Sequence, residues 1–73
     1  MKNEKTKILE GLLDDVREIA IDNGKEKELA DMFLYKSIKS QMKQMLYIES
    51  DLQFGYLCAE IGMLQGKLEY ENI

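Results

Sequence analysis

Apolar positions recur at three- and four-residue intervals along nearly the whole chain, and alternation of the strand type is nowhere sustained. Ile8, Leu9, Leu12, Leu13, Val16, Ile19 and Ala20 form one broad apolar face of a predicted first helix, residues 3–23. Asn23-Gly24 then supplies the residues of a left-handed C-terminal cap, followed by the charged turn Lys25, Glu26, Lys27, Glu28. A second helix is expected over 25–49. Its apolar side holds Leu34, Tyr35, Ile38, Met42, Met45 and Leu46, and Lys36, Lys39 and Lys43 form a basic stripe beside it.

The apolar face changes direction after Glu49. Phe54, Leu57, Ile61, Leu64 and Leu68 would project from the lysine sector if the second helix ran on unbroken. Ser50 followed three residues later by Gln53 has the form of a capping box, which predicts a third helix over 51–70. Against a break, Ile38, Met42, Met45, Leu52, Tyr56, Ala59 and Met63 keep helical spacing across the same point. The expected fold is therefore all-α: one domain spanning 1–73, a small bundle of two or three helices.

The last helix contains three glycines, each costing about 1 kcal/mol relative to alanine in a helix interior. Gly55, Ala59, Gly62 and Gly66 share one strip, flanked by Leu57, Ile61, Leu64 and Leu68 on one side and by Tyr56 and Met63 on the other. Close approach of another helix would offset that cost. Three neighbours fit: the chain's own first helix, a second copy, or a foreign helix.

Composition narrows these choices. With 73 residues, no proline and single valine and threonine residues, the chain is a helix former too short to bury a large core. Cys58 is the only cysteine and histidine is absent, so an internal disulfide cannot form and the usual zinc sites lack ligands. Self-association, as a dimer, is the remaining expected support. The lone thiol suits a reducing compartment and the N-terminal stretch with Lys2, Glu4, Lys5 and Lys7 is too charged for a secretory leader, which points to the cytoplasm. No apolar run is long enough to span a membrane, and no membrane partner is expected.

Candidate chemistry is sparse. Glu10, Asp14, Asp15, Glu18 and Asp22 make an acidic ridge on the first helix, without histidines to complete a metal site or act as a base near neutral pH. Cys58 lies in an apolar run with no activating partner in the sequence. No glycine-rich phosphate loop follows a strand. No enzyme activity, cofactor or metal is expected.

Ala20 and Gly24 have the spacing of the alanine and turn glycine of a helix-turn-helix, but Asn23 and Lys25 stand where apolar residues are usual, and Glu26 and Glu28 would open the recognition helix against phosphates. A net charge of −4 also argues against nucleic acid. The leading expectation is a non-enzymatic regulator or inhibitor that docks on a larger macromolecule. The alternative is a small dimeric nucleic-acid-binding regulator using Lys36, Lys39 and Lys43. The expected partner surface is either the acidic ridge or the aromatic and basic positions Tyr35, Lys39, Lys43 and Tyr47.

Overall fold

The computed structural model describes residues 4–44 and 50–70. Every regular element among them is helical: α1, Glu4–Asp22; α2, Glu26–Asp31; α3, Phe33–Gln44; α4, Asp51–Tyr70. The all-α expectation and the boundaries of the first and last helices agree with this arrangement. The helix count does not, because the expected second helix is two.

The interruption falls at Met32, whose backbone is extended at φ −70° and ψ 128°. In one continuous helix Leu29 would point about 180° away from Ile38, nine residues later. Both are buried, at 3% and 0% exposure, so the chain must turn between them. No proline or glycine marks the turn, so nothing local in the sequence announces it.

The second break lies where Ser50 predicts it. Ser50 is non-helical, its Oγ accepts from the Gln53 backbone N–H at 3.3 Å, and its carbonyl accepts from the Phe54 N–H at 3.0 Å. The Gln53 side chain does not close the capping box; its Nε2 donates to Gln41 Oε1 of α3 at 3.3 Å. Lys5 of α1 pairs with Asp51 in the first turn of α4. The hydrogen bond from Lys5 holds the Asp51 carboxyl below its ordinary range.

One core joins the four helices. Leu57, Ile61, Leu64 and Leu68 of α4 meet Leu9, Leu13, Val16 and Ala20 of α1, with Leu29, Tyr35 and Ile38 closing the cluster. α4 packs chiefly on α1 and then on α3, while α2 bridges α1 and α3. The apolar face of α1 is narrower than its sequence suggests: Ile8 is 47% and Leu12 36% exposed.

The α1–α2 corner ties the helix ends together. Gly24 has φ +68°, its N–H donates to Ile21 O at 3.1 Å, and the Lys25 N–H donates to Ala20 O at 2.7 Å. These are the paired bonds of a Schellman turn, as Asn23-Gly24 predicted. Lys25 is buried, and its Nζ donates to Leu68 O at 2.7 Å, in the last turn of α4. A cation there also meets the negative end of the helix dipole. The Lys25 carbonyl accepts from the Leu29 N–H at 2.9 Å, so this one residue serves the ends of α1, α2 and α4.

A side chain at Gly24 would be forced into the left-handed region, at roughly 1–2 kcal/mol. Gly24→Ala is therefore expected to lower stability by about that amount. Urea denaturation should show a lower midpoint with an unchanged slope.

Candidate functional site

α1 and α3 both lean on α4 and leave a groove of about 1000 Å3 between them. Its α1 wall carries Glu10, Asp14 and Arg17; its α3 wall carries Lys36, Lys39 and Lys43. Leu13, Tyr35 and Met42 supply apolar lining. Helical spacing explains both walls: Glu10, Asp14 and Arg17 recur at intervals of four and three, as do Lys36, Lys39 and Lys43 at three and four. Four cationic groups thus face two carboxylates on a chain whose net charge is −4.

Arg17 links the walls. Its Nε donates to the Tyr35 hydroxyl at 2.9 Å, and Asp14 accepts from its Nη1 one turn away. The Tyr35 hydrogen bond raises the guanidinium above its ordinary range, so it stays charged at any pH the fold survives. Lys39 Nζ lies 5.2 Å from the Tyr35 ring centroid, within cation–π reach. Beyond the groove, Gln41 Nε2 donates to Glu60 Oε1 of α4 at 3.3 Å and accepts through Oε1 from Gln53, which fixes α3 to α4 by polar contacts.

The groove brings together parts of both surfaces expected from the sequence. Glu10 and Asp14 of the acidic ridge face Tyr35, Lys39 and Lys43, whereas Asp15, Glu18 and Asp22 are exposed outside the lining. Only the N-terminal part of the ridge therefore borders the groove. Tyr35, placed by the sequence both on the apolar side of its helix and on the partner surface, is 8% exposed, a core residue whose hydroxyl reaches the groove. Tyr47, with Met45 and Leu46, lies outside the described residues. No local sequence signal announces the Arg17–Tyr35 link, because the two residues are 18 apart and only the arrangement of α1 against α3 pairs them.

The glycine strip requires the largest correction. Leu57, Ile61, Leu64 and Leu68 face the core, but Gly55, Ala59 and Gly62 are exposed and Gly66 is half-buried on the other side of α4. A Cβ built at Gly55, Gly62 or Gly66 would meet nothing within 4 Å. The strip is not a crossing with α1, because the larger inward leucines and isoleucine already occupy that contact. The outward face also carries Leu52, Tyr56, Met63 and Tyr70, exposed by 83%, 65%, 60% and 66%.

Cys58 is a half-buried free thiol packed against the core. Among the described residues no cluster of His, Cys, Asp and Glu could hold a metal ion, and no helix is long and apolar enough to cross a membrane. No family model, curated protein or solved structure matches this chain.

Two substitutions separate the roles of Tyr35. Tyr35→Phe keeps the ring and removes the acceptor for Arg17, for an expected loss of about 1 kcal/mol. Tyr35→Ala removes a buried ring, for an expected loss of about 3 kcal/mol or more. Equilibrium denaturation of both variants would check the difference; equal, small losses would show that the ring is not part of the core.

Proposed function

We propose that this chain is a non-enzymatic helical interaction protein, a regulator or inhibitor that docks on a larger protein in the cytoplasm. It uses the α1–α3 groove to hold a partner's amphipathic helix. The observation that carries this reading is the groove itself, in which half-buried Met42 lies between the lysines of α3 and an α1 wall of mixed charge, Glu10, Asp14 and Arg17. A helix fits such a site by placing its apolar stripe on the floor and its charged flanks against the walls. The excess of cationic groups selects a flank rich in Asp and Glu beside Lys36, Lys39 and Lys43.

The same lysines supply the one observation that favours nucleic acid as a second reading. Several features weigh against it. Glu10 and Asp14 share the groove, the whole chain is acidic, and α2 has only 6 residues, with Glu26, Glu28 and Asp31 exposed. A helix that short and that acidic is poorly suited to reading a major groove. The lack of histidine anywhere in the chain supports a role without acid–base chemistry. Self-association belongs to the proposal, since a 73-residue chain with several large apolar side chains in water gains most by covering them.

The test compares the wild-type chain with a variant in which Lys36, Lys39 and Lys43 are all glutamine. A protein captured from lysate should be retained after nuclease treatment and lost by the triple variant, while duplex DNA shows no gel shift at physiological salt. Micromolar DNA binding that falls steeply with salt and vanishes in the triple variant would put the nucleic-acid reading first. Capture that survives the triple substitution would remove the groove from the account.

A further inference from the structure

α4 has a second apolar stripe. Leu52, Tyr56, Ala59, Met63, Gly66 and Tyr70 recur at alternating intervals of four and three residues, the heptad spacing of a coiled-coil seam. They lie opposite the buried residues of α4, and the outward arc, with Gly55 and Gly62 beside them, contains no charged residue. Among the described residues no other helix covers the stripe, whose large side chains Leu52, Tyr56, Met63 and Tyr70 are all exposed.

We infer that this face of α4 pairs with the same face of a second copy, antiparallel, about a two-fold axis beside Gly62. The inference rests on the reading that the chain self-associates, and adds which surface does so and in which direction. Two observations select a second copy as the occupant.

The first is area. With about 150–250 Å2 for a large side chain, the exposed parts of Leu52, Tyr56, Met63 and Tyr70 amount to roughly 500–600 Å2. Including the small residues among them gives about 700 Å2 per copy, so a pair would bury about 1,400 Å2, within the range of stable specific interfaces.

The second is shape. A shallow hollow of about 260 Å3 lies where the stripe borders α3, lined by Tyr56, Ala59, Glu60 and Met63 of α4 and by Leu34 of α3. In the antiparallel register the face is complementary to itself: Met63 of the second copy lies over Ala59 and enters this hollow, and Tyr56 lies over Gly66. Leu52 and Tyr70 close the two ends. Parallel pairing would instead stack Tyr56 on Tyr56 and leave Ala59 opposite Ala59, with large residues colliding and small ones apart. The glycines acquire a role here that they lack inside one chain, since the absence of side chains at Gly55, Gly62 and Gly66 lets two backbones approach.

Sedimentation equilibrium and disulfide trapping test the surface and the direction separately. The wild-type chain should have the mass of two copies at micromolar concentration. Met63→Glu should reduce it to one without loss of far-UV helix signal, because Met63 is 60% exposed within one copy. In a Cys58→Ala background, neither Leu52→Cys nor Tyr70→Cys should cross-link alone, whereas an equal mixture of the two should give a disulfide-linked pair. A single-copy mass for the wild type would overturn both the pairing and the self-association reading. A two-copy mass unchanged by Met63→Glu would overturn this face alone. Self-cross-linking of Leu52→Cys would overturn the antiparallel direction.

Discussion

Burial of Leu57, Ile61, Leu64 and Leu68 is the constraint on which the rest of the structure depends. These four side chains are at most 2% exposed and form the surface against which α1 and α3 are laid. At about 1.5–3 kcal/mol for each fully buried large apolar side chain, their burial is comparable in size to the whole net stability of a small domain. The other helices are placed to reach them. α1 does so with Leu9, Leu13, Val16 and Ala20, and the break at Met32 lets α2 and α3 offer Leu29 and Ile38 to one core. The groove between α1 and α3 follows from two helices sharing one support without meeting closely along their outer sides.

Lys25 complements that apolar contact at the end of the bundle. Its backbone caps α1 and starts α2, and its ammonium group caps α4, so a single buried cation fixes three helix ends relative to one another. The left-handed Gly24 makes this possible by turning the chain so that Lys25 points inward. A buried charge without a partner would be costly, but here the ammonium group donates to the Leu68 carbonyl in the last turn of α4.

Much of the fold was legible in the sequence because helical period and end signals are local. The Leu57 to Leu68 stripe, Asn23-Gly24 and Ser50 each act within a few residues, and each stands where its local chemistry predicts. What was not legible depends on tertiary choice. The turn at Met32 has no breaker and is dictated by the common burial of Leu29 and Ile38. Ile8 and Leu12 are compatible with a core face, but the core of so small a bundle reaches only Leu9, Leu13, Val16 and Ala20. The spacing of the glycines fits one side of a tight crossing within or between chains. Within the chain they are on the opposite side of α4, because an apolar residue can be found at nearly every angle of that helix and periodicity alone does not say which face turns inward. The same ambiguity affected the candidate site: Glu10 and Asp14 oppose Lys39 and Lys43 only once α1 and α3 share α4 as a support.

An α4 that is apolar on two faces is the central claim, with one face closing the core and the other closing a pair of copies. Residue-resolved hydrogen exchange at two protein concentrations tests it most directly. The account predicts that the amides of residues 55–66 are among the most protected in the chain and gain further protection as concentration rises, while those of α2 do not. Exchange from α4 as fast as from α2 at both concentrations would contradict it, since the helix would then be neither the support of the core nor the seam of a dimer.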